Sequence, residues 1–284
     1  MTILVLGATG NTGSLVVAGL KQKGATFRAL VRNEAKAQQL GLSDEQTAIG
    51  DFDNLDNLEQ AMKGVERVYL SMPVSPHNQR WVENVIAAAK ASGVAHIVKL
   101  SGMHASKDAG SEVIRTHALT DELLKTSGLA YTLIQPNSFY QNLYGALPTI
   151  QTNGEFYLPL ADAAQSVVDI RDVADVVVAS LTEEGHAGQT YVLTGPEALS
   201  FDEQAARISA LANKPVNYVA VPREAAEQAM AGAGMDAWLA AALAEIMAWF
   251  GTGRYTEVTG DVEKVLGRAP RHFDDFAGEF VKAI

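Results

Sequence analysis

The sequence predicts an α/β protein built on a Rossmann-type doubly wound parallel sheet, with a smaller C-terminal lobe. Short apolar runs alternate with segments of helical spacing over the first two-thirds of the chain. Strands that alternate with helices form a parallel sheet covered on both faces. A glycine-rich stretch, GATGNTG at residues 7–13, follows the first apolar run and stands where the first strand turns into the first helix.

Six strands are predicted first, each from a short apolar run, at residues 3–6, 27–31, 47–49, 67–71, 96–100 and 131–135. The helical pattern between them is clearest at residues 13–24, 81–93 and 111–128. These three segments end at Gly24, Gly93 and Gly128, as helices with a left-handed C-terminal residue do. The order of elements is therefore that of repeated strand–helix–strand units.

The alternation becomes less regular after residue 137. Helices are predicted at residues 171–185 and 200–214 and strands at 189–195 and 216–221, and the chain is helical from residue 223. Ser200 and Glu203 have the spacing of a capping box at a helix start. We expect residues 1–136 to form the Rossmann domain and residues 137–284 to be a mixed region that completes the sheet and forms the smaller lobe.

Composition excludes several classes of protein. The formal net charge of -11, with no cluster of Lys and Arg, argues against a nucleic-acid partner. The chain has no cysteine, so it has neither a disulfide framework nor a thiol nucleophile. The N-terminal apolar run lacks a basic leader, and the apolar stretch at residues 237–250 is interrupted by Glu245 and too short to span a bilayer. These features predict a cytoplasmic protein without a membrane partner.

The glycine stretch is best explained as a nucleotide-binding loop. Gly7 can allow a tight turn, Gly10 a close approach of a ligand to the backbone, and Gly13 close packing of the helix on the strand. The N–H groups and the dipole of the first helical turn then face an anionic diphosphate. We expect this loop to bind a dinucleotide through Gly7, Thr9, Gly10, Asn11, Thr12 and Gly13.

Several segments along the chain resemble one known family in their order and spacing: GATGNTG, LVRNEAKAQQL, GDFDN, AAAKASGVAHIVKLSG, YTLIQPNSFYQN and GQTYVLTGPEALSF. Together they resemble the NmrA-like group of atypical short-chain dehydrogenases/reductases. Within it they are most similar to the branch of type 2 NAD(P)H:quinone oxidoreductases and triphenylmethane reductases. The resemblance implies that residues 1–136 bind NAD(P), that residues 137–284 supply a substrate lobe, and that the protein is an NAD(P)H-dependent oxidoreductase.

The end of the second strand indicates the choice of cofactor. An NAD site usually has an acidic residue there for the ribose hydroxyls, whereas this chain has Arg32, with Lys36 one helical turn later. A guanidinium can grip the 2′-phosphate of NADP in a bidentate manner. We therefore expect NADP(H) to be preferred over NAD(H). The alternative is that both are solvated surface charges, and Glu34 could pair with either.

The resemblance implies further cofactor contacts after the later strands. Asp51 and Phe52 would flank the adenine, with Asp51 accepting its amino group, although Asp51 would serve equally well as a turn residue. Ser101 and His104 follow the fifth strand and are expected to line the pocket near the nicotinamide, unless they cap the next segment. The remaining implied contacts are Ser71, Met72 and Pro73 below the middle of the cofactor, and Pro136, Asn137, Ser138 and Phe139 at its nicotinamide end.

The helix that carries Tyr-x-x-x-Lys in most reductases of the superfamily has no such pair here. His117 and Asp121 instead share one helix face at the i, i+4 spacing. An Asp at that distance would favour the imidazolium and orient the ring, which makes His117 a candidate proton donor. His117 could equally hydrogen-bond the cofactor or substrate, or be an exposed histidine paired with a carboxylate. No third ligand stands at a spacing that would make His104 and His117 a metal site.

The missing pair bears on the reaction. Reduction of a ketone leaves an alkoxide that needs a well-placed acid, whereas reduction of a quinone leaves a stabilised anion and a cationic dye needs only hydride. We therefore expect a reductase of quinones or similar conjugated electrophiles. A flat aromatic acceptor would be held by Tyr140, Tyr144 and Trp238, together with His104, although aromatics at these spacings also form cores. The sequence leaves open whether the protein forms a homodimer. Two other functions also stay open, a non-catalytic NADP sensor of the NmrA type and an aromatic C=C or imine reductase.

Overall fold

The computed structural model describes residues 1–284. Its strands are β1 (Ile3–Leu6), β2 (Phe27–Val31), β3 (Thr47–Ile49), β4 (Arg67–Leu70), β5 (His96–Leu100), β6 (Ala130–Pro136), β7 (Glu155–Leu158), β8 (Gln189–Leu193) and β9 (Asn217–Ala220). Its helices are α1 (Asn11–Gln22), α2 (Glu34–Gln39), α3 (Leu55–Met62), α4 (Asn78–Ser92), α5 (Glu112–Lys125), α6 (Leu147–Asn153), α7 (Ile170–Thr182), α8 (Phe201–Ala212), α9 (Arg223–Gly232), α10 (Ala237–Phe250), α11 (Asp261–Leu266) and α12 (Phe273–Phe280).

Seven strands form one sheet in the order β3-β2-β1-β4-β5-β6-β8. The pairs β1–β2, β2–β3, β1–β4, β4–β5 and β5–β6 are all parallel. The predicted doubly wound sheet is thereby confirmed. The strand order reverses between β1 and β4, and in such sheets ligands bind outside the carboxyl ends of the strands at this switch point.

The chain divides into two compact units whose segments interleave. The first unit consists of Met1–Lys107, Thr116–Gln135 and Val173–Tyr191, and the second of Asp108–Arg115, Pro136–Asp172 and Val192–Ile284. The first unit therefore extends beyond residue 136 and includes Val173–Tyr191, a part of the region that was predicted to complete the sheet. The physical reason is that most of α7 and the start of β8 return to the sheet, where a Cβ at Gly19 of α1 would lie 2.9 Å from Val178 of α7.

Each unit has its own apolar core. In the first unit a buried cluster joins strands of the sheet to α3 and α4, and includes Leu4, Leu58, Val82 and Ile97. In the second unit the core is aromatic and includes Phe156, Phe273, Phe276 and Phe280. The second unit also contains the parallel pair β7–β9. No helix of the structure combines the length and the apolar character that crossing a membrane would require.

Helix termini follow local sequence signals closely. Gly24, Gly93 and Gly128 have φ values of 64°, 71° and 85°, which confirms the predicted left-handed residues. Ser200 and Glu203 form the predicted capping box at the start of α8, with the Ser200 side chain accepting from the Glu203 N–H. Helix boundaries therefore lie within a few residues of the prediction wherever a cap or a glycine marks them.

Candidate cofactor and active site

The glycine loop after β1 is shaped by close backbone contacts. Gly7 has a φ of +82°, and a Cβ there would lie 2.1 Å from the Ser71 carbonyl oxygen. A Cβ at Gly13 would lie 2.1 Å from the Gly7 carbonyl oxygen and 3.0 Å from the Ala8 Cα. The predicted tight turn at Gly7 and close helix packing at Gly13 are confirmed, because no other residue type has room at either position.

The start of α1 is open to solvent. Gly10 is the N-cap of this 12-residue helix and provides no side-chain cap, and Thr9 and Asn11 are exposed beside it. A Cβ at Gly10 would meet only the Gly7 carbonyl oxygen, at 3.3 Å. Thr12, in contrast, is buried. The first-turn N–H groups thus have no side-chain acceptor, as an anion-binding helix start requires, and binding through this loop stays a prediction.

The loop after β2 places Arg32 on the surface. Arg32 is exposed and makes no hydrogen bond or ion pair with the protein. Lys36 is partly buried in α2, where its Nζ donates to Gln39 at 3.0 Å. Glu34, which the sequence left as a partner for either cation, pairs with neither. Arg32 therefore stands at the carboxyl edge of the sheet with its donors available.

The loop after β3 carries Asp51 and Phe52. Asp51 Oδ1 accepts hydrogen bonds from the backbone N–H groups of Asp53 at 2.9 Å and Asn54 at 3.0 Å, so this carboxylate builds the turn. The turn role that the sequence allowed is confirmed. Phe52 is partly buried and stacks on Trp81, with ring centroids 5.4 Å apart.

The loop after β4 packs against the glycine loop. Ser71 N donates to the Leu6 carbonyl oxygen at 3.2 Å, and its own carbonyl oxygen lies against Gly7. Met72 is partly buried against the core of the first unit, whereas Pro73 is exposed. Of the predicted residues after this strand, Ser71 is thus the one that directly supports the loop.

A buried polar network connects β5, β6 and α5. Lys99 is fully buried, and its Nζ donates to Asp121 Oδ1 at 2.8 Å. Asp121 Oδ2 accepts from Ser101 Oγ at 2.7 Å and from Gln135 Nε2 at 3.0 Å. Three donors therefore hold this carboxylate. Ser101 and Asp121, both predicted site residues, are brought together, whereas Lys99 and Gln135 were not predicted.

His117 lies one helical turn before Asp121 but makes no hydrogen bond to it. Burial and, next, the charge of Lys99 lower the pKa of His117 to about 4, although the Asp121 carboxylate acts in the opposite direction. The expectation that Asp121 makes His117 an imidazolium is therefore wrong, because burial of the ring, together with the charge of Lys99, outweighs the effect of the Asp121 carboxylate. At neutral pH His117 is an uncharged ring that can donate or accept a hydrogen bond.

A second histidine, His96 on β5, also has a pKa lowered by burial. It is buried, its Nε2 lies 2.9 Å from Thr132 Oγ1, and burial, with a smaller contribution from the charge of Arg67, lowers its pKa to about 4. The folded pKa of both His96 and His117 thus lies below the unfolded value of about 6.5. Their contribution to stability is complete above pH ~6.5 and is lost as the pH falls towards ~4, because the unfolded chain then binds more protons.

We expect the free energy of unfolding to fall by about 2 kcal/mol for His96 between pH ~7 and pH ~5, and by less for the more exposed His117. Urea unfolding at the two pH values measures this. In the variant His96→Asn the free energy of unfolding should fall less between the two pH values, because the contribution of His96 is absent. If the variant and the original chain lost equal stability on acidification, His96 would not be buried as a neutral ring.

His104 follows β5 in an unusual backbone conformation. Its φ of 55° places it in the left-handed region, and its side chain is exposed. Outside glycine, this region is populated mainly by Asn, Asp and His. Ala105 N donates to the Gly102 carbonyl oxygen at 3.3 Å and closes the turn that contains it. A substrate contact by His104 stays a prediction.

In the second unit, Asn137 directly follows β6 and is buried. Its Nδ2 donates to Ser166 Oγ and to the Tyr255 carbonyl oxygen, each at 3.0 Å, and its Oδ1 accepts from Ser138 N at 2.7 Å. The side-chain amide is therefore committed to the fold of this unit, and any cofactor contact here falls to the backbone or to its neighbours. Pro136 is buried, and Ser138 and Phe139 are partly exposed.

The predicted aromatic pocket is only partly supported. Tyr140 is 2% exposed and packs between Phe273 at 5.2 Å and Phe276 at 5.7 Å, so it belongs to the core and its proposed substrate contact is wrong. Tyr144 is 41% exposed and leans on Phe280. Trp238 is partly exposed near the start of α10. Tyr144 and Trp238 stay candidates for substrate contact.

The family follows from comparison with known proteins. The model of the NAD(P)H-binding family matches residues 7–184, from the glycine loop to the end of α7 and the residues just beyond it. The chain belongs to the NAD(P)H-binding family. The match begins at Gly7, the first glycine of the turn from which a dinucleotide site was predicted.

Relatives of this family member include several reductases. It is 42% identical to an NAD(P)H azoreductase of Xenophilus azovorans, over 97% of this chain and 96% of that protein. It is 29% identical to quinone oxidoreductase 2 of Escherichia coli, over 93% of each chain. The structure of the Escherichia coli NADPH-dependent quinone oxidoreductase complexed with NADPH superposes with a TM-score of 0.89 at 27% identity, covering 98% of this chain and 99% of that one. The predicted family and reductase class are confirmed.

Lys99 and Trp81 of this NAD(P)H-binding protein were not predicted, although Lys99 had a visible signal in the sequence. Lys99 interrupts an otherwise apolar strand, HIVKL, and a charge inside such a strand needs a buried partner. Trp81 lies in the first turn of α4, and nothing in the sequence indicates that it meets Phe52. His, Asp and Glu residues form no group of three that could hold a metal ion.

Proposed function

We propose that this protein is an NADPH-dependent reductase of quinones, azo compounds or similar conjugated electrophiles. The observation that carries the proposal is the state of α5, where neither a Tyr-x-x-x-Lys pair nor an imidazolium is available as an acid. Lys99 is tied to Asp121 at 2.8 Å, and the pKa of His117 is lowered to about 4. Acceptors whose reduction needs no strong acid suit such a site.

The glycine loop fits a dinucleotide, because the Cβ atoms missing at Gly7 and Gly13 leave the α1 start close to the carboxyl edge of the sheet. Bound NADPH would supply the hydride. The contribution of the chain is to bind the diphosphate and to hold donor and acceptor in near-attack contact. His117 would orient the cofactor or acceptor as a neutral hydrogen-bonding group, and water would deliver the proton.

The relatives support an enzyme over a non-catalytic sensor. The azoreductase, with 42% identity, aligns over nearly its whole length, and a second relative, 34% identical over 99% of this chain, is also named as a reductase. Azo groups and quinones share an electron-poor conjugated system that accepts hydride and then a proton. This common chemistry defines the proposed acceptor class.

We expect purified protein to oxidise NADPH with a simple quinone and with an azo dye, and to act on an aliphatic ketone at least about 100-fold more slowly. The factor corresponds to the rate that a positioned general acid supplies and that this site lacks. Stopped-flow absorbance at the NADPH band with each acceptor measures the three rates.

A reaction without acceptor is the control for uncoupled oxidation of NADPH. Ketone turnover at the quinone rate would contradict the argument from the missing acid. Tight NADPH binding without turnover of any acceptor would instead support the sensor.

The preference for NADPH over NADH is a separate proposal that depends on Arg32. Its guanidinium is exposed and unpaired at the end of β2, where a 2′-phosphate on the adenosine ribose would lie. A guanidinium paired with a phosphate makes bidentate, charge-assisted hydrogen bonds. Lys36 adds a second positive charge in the first turn of α2, which begins two residues after Arg32.

Arg32→Ala should weaken NADPH binding by roughly 2–4 kcal/mol and leave NADH binding nearly unchanged, because only NADPH carries the phosphate. Calorimetric titration of both cofactors measures the difference. Lys90→Ala is the matched control, since Lys90 is an exposed cation in the last turn of α4, at the opposite edge of the sheet. Equal losses for the two cofactors would remove Arg32 as the discriminating residue.

A further inference from the structure

The only charged side chain of α10 is bound to another helix. α10 is otherwise apolar, and Glu245 interrupts it. Glu245 Oε2 accepts a hydrogen bond at 2.6 Å from the backbone N–H of Glu112, the first residue of α5. Its other oxygen lies 4.0 Å from the Arg223 guanidinium of α9, and the side chain is 23% exposed. A charge that is largely removed from water needs such partners, and the first turn of a helix attracts an anion.

α5 also begins with a residue of the type that ordinarily provides its own cap. The Ser111 carbonyl oxygen accepts from the Arg115 N–H at 3.0 Å, which is the first hydrogen bond of the helix and makes Ser111 the N-cap. A serine at this position usually accepts with its hydroxyl from an N–H of the first turn. Here the Ser111 Oγ is buried and has no hydrogen-bond partner. The side-chain acceptor at the start of α5 therefore comes from α10, where Glu245 stands 133 positions after Glu112.

A second residue of α10 contacts the same segment. Trp249 lies one helical turn after Glu245, on the same face of α10. A Cβ at Gly110 would lie 2.5 Å from the Cε3 and Cζ3 atoms of its ring, so any larger residue at this position would push the indole away. The ring is fixed, because its Nε1 donates to the Tyr255 hydroxyl at 3.1 Å and the Arg254 guanidinium carbon lies 5.2 Å from its centroid. Both residues of α10 thus hold the segment that leads into α5.

The first turn of α5 and the rest of the helix belong to different units. The second unit includes the chain up to Arg115, and the first unit resumes at Thr116. His117 lies in the second turn of α5, directly after the turn that Glu245 caps. Because a helix is a rigid element, a displacement of its first turn also displaces the side chains of the next turn.

We infer that Glu245 is a positioning residue, which caps α5 in place of Ser111 and thereby fixes the helix that carries His117. The inference rests on the proposed function, in which His117 orients the cofactor or the acceptor as a neutral hydrogen-bonding group. In this role Glu245 acts through α5 and exchanges neither a proton nor a hydride with the reactants.

A single-turnover experiment tests the positioning role. Protein loaded with NADPH is mixed with an excess of a simple quinone, and the decay of the NADPH absorbance is followed by stopped flow. Glu245→Ala should lower the rate constant about 10-fold and leave the amplitude unchanged, since misplacing an orienting group by about 1 Å can cost up to ~100-fold in rate. Glu245→Gln keeps an oxygen that accepts from the Glu112 N–H, so its rate constant should stay within about twofold of the original.

Glu224→Ala is the matched control and should leave the rate constant unchanged, because Glu224 is an exposed carboxylate in the first turn of the neighbouring helix α9. A merely structural role of Glu245 would lower the fraction of active protein, and therefore the amplitude, at an unchanged rate constant. That result would overturn the inference, as would an equal loss in Glu245→Gln. Turnover of no acceptor by the original chain would instead refute the proposed function.

Thermal unfolding tests the cap independently of any activity. Ser200 caps α8 with its hydroxyl, so Ser200→Ala should lower the midpoint of unfolding by about 2 °C. Ser111→Ala should not lower it, because this change removes a buried hydroxyl that has no partner. Equal losses for the two variants would show that Ser111 caps α5 and would overturn the inference, even where the quinone is reduced as proposed.

Discussion

Gly13→Ala should reduce the affinity for NADPH and NADH alike by at least about 100-fold, or about 2.7 kcal/mol. The added Cβ would lie 2.1 Å from the carbonyl oxygen of Gly7 and 2.8 Å from its carbonyl carbon. Both are backbone atoms of the glycine loop and cannot rotate away. Helix α1 would therefore have to move off β1, which displaces the N–H groups proposed to hold the diphosphate.

Two other glycines provide controls for this change. A Cβ at Gly232 would meet nothing within 4 Å, so Gly232→Ala should leave binding and stability intact. Gly10→Ala should leave stability nearly intact, because its nearest contact is at 3.3 Å, but it should still weaken binding if the ligand approaches there. Calorimetric titration of both cofactors with the three variants is the measurement. Gly13→Ala binding at the original affinity would contradict the proposed loop.

Lys99→Met should lower the free energy of unfolding by about 3–5 kcal/mol, since it leaves the Asp121 carboxylate buried without its cation. The two side chains are 0% and 4% exposed, and Lys99 Nζ lies 2.8 Å from Asp121 Oδ1. Ser101 and Gln135 would still donate to the carboxylate, but neither carries a charge. Urea unfolding at neutral pH measures the loss.

The pair Lys23–Glu183 is the matched control, because its distance is similar, at 2.7 Å, but its side chains are 45% and 52% exposed. Lys23→Met should cost less than about 1 kcal/mol. Similar costs for the two substitutions would mean that the Lys99–Asp121 pair is accessible to water. A large loss in free energy of unfolding for Lys99→Met, with a small loss for Lys23→Met, is the result expected if the buried network stabilises α5.

The sequence determined the sheet well because each strand is a compact apolar run with a turn or a helix on either side. β1, β2, β3 and β5 have the predicted bounds. β7 was missed, since GEFYLPL is short, directly follows α6, and pairs with β9, whose residues stand 62 positions further along the chain. Such a pairing leaves no local pattern.

The site was predictable where backbone geometry dictates residue type, and less so where side chains meet across elements. Gly7 and Gly13 follow from the turn itself. His117 was interpreted through its helix neighbour Asp121, but its pKa is lowered mainly by burial and next by the charge of Lys99, which comes from β5. Asn137 was expected at the nicotinamide end of the cofactor, but its side-chain amide donates to Ser166 and Tyr255, which lie far along the chain.

The return of Val173–Tyr191 to the first unit has a consequence for synthesis on the ribosome. When residue 136 has emerged, β6 lacks its neighbour β8, and Gly19 of α1 lacks Val178 of α7. At about 5–20 residues per second, the missing segment follows only several seconds later. During that time the nascent chain exposes an unpaired apolar strand edge, which is the kind of surface that chaperones bind.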